Sequence, residues 1–298
     1  MAALTAPAER DGAGAASATR PTDVLSRGFV LLMAALTAAR AGQVGAWPWL
    51  LLADLLILIL LDLLGRAPSG SRLAGITALW YPFLLIGAYY GQLGVIGLGV
   101  AHVHDAAVQH WEAALFGGQP SLTWQAASGT ALLSTVLHAC YLAHYLIIIA
   151  VPAWLWWRAG REASARAVFG IALAFDVCYV AFAVFPVAGP WYTLPAPRGP
   201  LAHVAMDRAV HALLDAGSSF GTAFPSSHVA ASWCAVLMAR RHAPWLAAAL
   251  APVVVGLALG TVYGQFHYVV DAVAGAAVAV ACALAADPLR RRLAPAPR

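Results

Sequence analysis

Residues 244–286 read PWLAAALAPVVVGLALGTVYGQFHYVVDAVAGAAVAVACALAA. Two apolar runs, 244–263 and 266–286, meet at a short polar turn around Gly264. Each run has about the 20 residues that an α-helix needs to cross a hydrocarbon layer of ~30 Å. Two helices joined so tightly satisfy their backbone groups internally, as lipid demands. The turn itself is chemically equipped, carrying Gln265, His267 and, four residues on, Asp271. If the second helix starts at His267, both side chains share one face. A carboxylate beside an imidazole fixes its tautomer and raises its basicity, which prepares a nucleophile or a general base.

The rest of the chain agrees with a membrane reading. It is 298 residues long, 62% hydrophobic and 10% charged, with a mean hydropathy of +0.76. Soluble domains carry about 25% charged residues, so too little polar surface exists here to cover a water-soluble globule. The expected fold is all-α, a polytopic helical bundle of about eight transmembrane helices. The apolar runs are 26–40, 46–64, 74–99, 129–157, 165–186, 226–240, 244–263 and 266–286. The first and sixth are short for a span. The formal charge of +4, all of its basic residues arginine, is modest and scattered. That pattern speaks for membrane topology and against nucleic-acid binding. Cys140, Cys178, Cys234 and Cys282 lie in apolar runs without ligand spacing and read as buried free thiols.

Arginines order the topology. Arg66 and Arg72, Arg158 to Arg166, Arg240 and Arg241, and Arg290 to Arg292 follow alternate runs. With eight spans they share one side with both termini, which the positive-inside rule makes cytoplasmic. The turn at Gly264 then faces the opposite side, as does the stretch before residue 226. Residues 1–23 and 289–298 read as cytoplasmic tails, 24–73 as two N-terminal spans, and 74–288 as the catalytic membrane domain. His102 to Phe116 reads as an interfacial amphipathic helix ended by Gly117-Gly118. Residues 203–216 read as a second short helix, after a proline-rich loop.

A second polar cluster, Phe224-Pro225-Ser226-Ser227-His228, opens the run 226–240. Free N–H groups at a helix start attract an oxyanion such as phosphate. Two histidines, one aspartate and an anion-binding helix end suit phosphoryl transfer. Pro225-Ser226-Ser227-His228 and His267-Tyr268-x-x-Asp271 resemble the second and third signature motifs of the PAP2 superfamily of membrane lipid phosphatases and phosphotransferases. Phe185 to Tyr192 is similar to a segment of its inositol phosphorylceramide synthase branch, and the resemblance covers roughly 75–287.

The resemblance implies a six-helix core, a phosphohistidine formed on His267, protonation of the leaving oxygen by His228, and Asp271 steadying His267. Ser226 and Ser227 would hold phosphate, with capping of the helix as their plainer role. The substrate would be a lipid phosphate or phospholipid head group, with no metal and no cofactor. Gln265 stands where the branch often has an arginine that grips phosphate; it donates hydrogen bonds but brings no charge. Arg198 or Arg208 is the expected substitute. Tyr141, with His138 and His144 in the fourth run, is expected to turn inward and line the substrate cavity. His102 and His104, at i and i+2, do not share a helix face, so no metal ligand set is expected there. Two other classes compete: a catalytically degenerate lipid-binding member, suggested by Gln265, and a lipid or proton-coupled transporter, suggested by acids such as Asp54 and Asp176 inside the apolar runs.

Overall fold

The computed structural model describes residues 20–66, 72–98, 102–195 and 204–294. Twelve helices occur among them: α1 (Pro21–Ala39), α2 (Trp47–Arg66), α3 (Arg72–Leu98), α4 (Asp105–Phe116), α5 (Pro120–Ser128), α6 (Ala131–Ala159), α7 (Arg161–Val184), α8 (Pro190–Thr193), α9 (Ala205–Gly217), α10 (Ser227–Ala239), α11 (Pro244–Tyr263) and α12 (Val269–Leu293). Seven of these, α1, α2, α3, α6, α7, α11 and α12, are long and apolar enough to cross a membrane. The eighth expected span, α10, has 13 residues, a rise of about 20 Å. Val229, Ala230, Ala231, Ala235 and Ala239 on it are fully buried. It is short because protein, not lipid, surrounds it, and its N-terminus starts within the bundle.

Burial sorts the helices. Within its most apolar window α7 is 72% buried and α2 only 11%. α7 is therefore the hub, packed against α3, α6, α10 and α12. α2 presents Leu52, Leu55, Leu56, Leu60 and Leu63 outward, a surface that suits acyl chains and not water. The expected six-helix core corresponds to α3, α6, α7, α10, α11 and α12. α1 joins it, since Phe29, Val30 and Met33 belong to the same apolar cluster as Phe175 and Tyr179 of α7. Asp54, in the lipid-facing helix, points inward, and Gln92 Nε2 donates to its Oδ2 at 3.0 Å.

Close approach replaces the hydrophobic effect as the source of specificity between membrane helices. On α11, Gly256 and Gly260 form a small-xxx-small pair against α6. A Cβ on Gly260 would stand 2.5 Å from the Leu137 carbonyl oxygen, and one on Gly256 would stand 2.7 Å from Cys140 Sγ. Gly275 of α12 likewise admits the Ser226 carbonyl, 2.5 Å from where a Cβ would lie.

Two tail boundaries are corrected. α1 starts at Pro21, inside the stretch expected to be a tail, because proline suits the first helical turn and the Asp23 carboxylate accepts the Arg20 N–H at 3.2 Å. α12 runs to Leu293, past the expected end at 288. Its last-turn arginines complement the helix dipole, and Arg290 pairs with Glu162 at 2.8 Å. Residues 1–19 and 295–298 lie outside the described residues. The starts of α1 and α7 and the ends of α10 and α12 meet at one end of the bundle, around Pro21, Arg166, Arg241, Arg290 and Arg291. The turn at Gly264 and the start of α10 meet at the other.

Candidate active site

His228 and His267 come together at this second end. Their ring centroids are 6.0 Å apart, with the planes at 61°. His228 is the second residue of α10. Ser226 caps that helix, its Oγ accepting the Val229 N–H at 3.4 Å, while its own N–H donates to the Asp271 carbonyl at 3.0 Å. One hydrogen bond thus ties the start of α10 to the start of α12. Ser227 is buried in the first turn.

His267 lies just before α12 and not within it. The helix begins at Val269 with Tyr268 as its N-cap, which corrects the expected start at His267. The chain turns at Gln265, whose φ is +60°, and Phe266 and His267 both donate their N–H groups to the Thr261 carbonyl, at 2.8 and 2.9 Å. Asp271 still reaches His267, with Oδ2 3.4 Å from Nδ1. The same Oδ2 accepts the Tyr268 N–H at 2.8 Å, so the carboxylate caps its helix and flanks the imidazole at once. Neither His267 Nδ1 nor Asp271 Oδ1 makes a hydrogen bond. Burial holds the His267 imidazole down to about 4, and a smaller opposing effect comes from its hydrogen bond with the Ala223 backbone. The neutral ring is therefore the resting form.

α4 supplies two carboxylates that brace this turn. Asp105 accepts the N–H groups of Ala188 and Gly189, at 2.7 and 2.8 Å, and the Tyr268 hydroxyl at 3.1 Å. Glu112 accepts the first two N–H groups of α12, from Val269 and Val270, at 3.0 and 3.2 Å. Burial raises the Glu112 pKa, and these two backbone bonds oppose the rise. Glu112 was not foreseen; an acid seven residues after Asp105, about two turns on and on the same face of α4, was the available signal. The loop after α7 is pinned as well, with Ala223 donating to Val187 at 2.9 Å.

The slot between the histidines is lined by Tyr90, Tyr141, Trp191, Tyr192, Thr222 and Phe266, and holds about 40 Å³, room for roughly three waters. Tyr141 meets the expectation for the fourth run, its hydroxyl 3.4 Å from His228 Nε2. The His144 ring is 4.6 Å from His228 and its Nδ1 is 2.9 Å from Ser232 Oγ. Two other expectations, for Gln265 and Arg208, are not met here. Gln265 is buried away from the slot with Nε2 unpartnered, because the left-handed turn at that residue directs it elsewhere. Arg208 is exposed on α9, since Asp207 and His211 occupy that helix's inner face. Arg198 lies outside the described residues. No arginine lines the slot among the described residues. Arg40, at the end of α1, is near: its Nη2 donates to the Ala183 carbonyl at 2.6 Å, and it lines a crevice that shares Thr222 with the slot. A larger cavity, about 600 Å³, sits at the arginine-rich end. It is a crevice between paired helix ends, and neither His228 nor His267 lines it.

The profile of the PAP2 superfamily matches residues 106–285. The match takes in both histidines, Asp271, all of α4 after Asp105, every helix from α5 to α11, and most of α12. The chain belongs to the PAP2 superfamily, whose members are in general phosphatases and phosphotransferases. Comparison with curated proteins and with solved structures gives no match.

Proposed function

We propose that the chain is a membrane lipid phosphatase or phosphotransferase that works through a phosphohistidine on His267. The observation that carries this reading is the convergence of His228 and His267 on one slot, 6.0 Å between ring centroids, with Asp271 behind His267. In the first step the ring nitrogen of His267 that carries no proton attacks phosphorus with its lone pair. The bond to the lipid oxygen breaks, and His228 gives that oxygen its proton. In the second step His228 takes a proton from the acceptor, whose oxygen attacks phosphorus and frees His267. Asp271 steadies the imidazole as it gains positive charge. The N–H groups at the start of α10 and the hydroxyl of Tyr141 are donors available to phosphate. Positive-inside topology supports an extracytoplasmic site with both termini cytoplasmic.

With water as acceptor the enzyme is a phosphatase. Transfer to a lipid alcohol, as in inositol phosphorylceramide synthases, is the second reading. It is supported by a narrow aromatic slot that limits water, with His267 only 5% exposed, and by Gln265 in the place of arginine. The experiment is a panel of lipid phosphates and phospholipids given to purified protein, scoring released phosphate against new phospholipid. Turnover with neither product, from a protein that is folded and inserted, would leave the degenerate-binder reading in its place.

A further inference from the structure

Beside the slot, on the far side of Phe266, three ligand-type side chains converge from two helices. His138 of α6 and Asp207 and His211 of α9 each offer one atom within 4.8 Å of the others. His138 is fully buried and Asp207 is 2% exposed. We propose that this cluster binds one Zn²⁺ ion, through His138 Nε2, the Asp207 carboxylate and His211, and that the ion fastens α9 to α6.

Hydrogen bonding carries the argument. His138 Nδ1 is 2.8 Å from the Ser134 carbonyl. A carbonyl only accepts, so Nδ1 holds the proton and the lone pair of a neutral ring is on Nε2. That lone pair is 3.3 Å from Asp207 Oδ1, another acceptor. Two buried acceptors at this separation repel unless a cation lies between them, and neither atom has a hydrogen-bond partner. The imidazole N–H to backbone carbonyl contact is the outer-sphere support that metal-bound histidines use. Spacing agrees: with zinc bonds of 2.0–2.1 Å, adjacent ligand atoms of a tetrahedron are about 3.3 Å apart. The His138 Nε2 to Asp207 Oδ1 separation is 3.3 Å and that of His211 Nδ1 to Oδ2 is 3.4 Å. One atom of each residue lies within 4.8 Å of the others, so a small rotation of the carboxylate brings one oxygen to both rings. Two imidazoles and one carboxylate, with a fourth position left for water, suit zinc better than calcium or magnesium. His211 is 19% exposed, which gives the ion a route from water.

The ion is placed to hold the slot's wall and not to touch phosphate. The His138 and His211 rings lie 5.8 and 5.4 Å from that of Phe266, which packs 4.8 Å from Tyr141 and precedes His267 in the chain. α9 contributes Leu214 to the slot. This assignment stands apart from the phosphohistidine scheme, because binding is measured without any lipid substrate.

The test uses tag-free full-length protein in detergent, stripped with chelator and then titrated with Zn²⁺ or Co²⁺. One equivalent per chain, intense visible bands of four-coordinate Co²⁺ and a higher melting midpoint are expected. His211→Ala, at the most accessible ligand, should keep the fold and weaken binding at least tenfold. Asp207→Asn should abolish it, and His102→Ala, on the exposed stretch before α4, should bind as the parent does. No stoichiometric ion, or equal binding by His211→Ala and the parent, overturns the proposal and leaves a protonated His138 paired with Asp207.

Discussion

His228 and His267 face each other across 6.0 Å although they stand on different helix ends. The hydrogen bond from Ser226 N–H to the Asp271 carbonyl, 3.0 Å, links the two ends directly. The positions of the proposed acid and the proposed nucleophile are therefore not independent. Whatever moves the start of α12 also moves the start of α10.

Replacing either histidine separates the two steps. His267→Ala should abolish turnover and the labelled phosphoenzyme formed from a ³²P-lipid phosphate. His228→Ala should slow turnover by roughly 10²–10⁴-fold while the phosphoenzyme still forms slowly. Both should insert and melt near the parent. A phosphoenzyme in His267→Ala would place the nucleophile elsewhere.

Asp271→Asn tests the double role of that carboxylate. Asparagine keeps an oxygen for the Tyr268 N–H, so helix capping survives while the charge beside His267 is lost. Turnover should fall at least tenfold with the melting midpoint little changed. Asp271→Ala should lose activity and also about 0.5–2 kcal/mol of stability, the usual worth of a cap. Equal melting of the two variants would show that the cap is not what the carboxylate supplies.

Activity against pH reports the nucleophile. Burial holds His267 down to about 4, and protonation removes the attacking lone pair. The sign follows from both rings. Burial also holds His228 down to about 3, and that ring must carry a proton to act as the acid. So kcat/KM should rise as the pH falls from neutrality and then drop as His267 is protonated, through about 4 and below. An acid limb near 6.5, the ordinary histidine value, would mean that water reaches the ring freely.

Gly275→Ala tests the helix contact that sets the site. Its Cβ would lie 2.5 Å from the Ser226 carbonyl, so the start of α10 must shift. A loss of about 1–3 kcal/mol is expected, together with a drop in kcat. Gly87→Ala on α3, where a Cβ meets nothing within 4 Å, should be neutral or gain up to about 1 kcal/mol from helix propensity. Equal effects would refute the contact.

The departures between sequence and structure have particular causes. α10 is legible as an apolar run, but its shortness is not explained until α7 and α12 are seen to enclose it. His267 falls outside α12 because Tyr268 and Asp271 form the cap, a choice between two registers that spacing alone leaves open. Gln265 leaves the slot because its own residue takes the left-handed turn. Glu112, Arg40 and the meeting of His138 with Asp207 were missed because each partner is distant in sequence, although Asp207 and His211 stand only four residues apart on α9.

By itself the sequence determined that this is an all-α membrane protein, and it singled out His228, His267 and Asp271 as the groups proposed to carry its chemistry. Hydrophobic length and local spacing are properties of the chain, and lipid permits few ways to satisfy a backbone. Only the tertiary structure decided which polar side chains share a cavity, since packing selects one rotation for each helix. That rotation brought Tyr141 to His228, turned Arg208 outward and set Asp207 against His138.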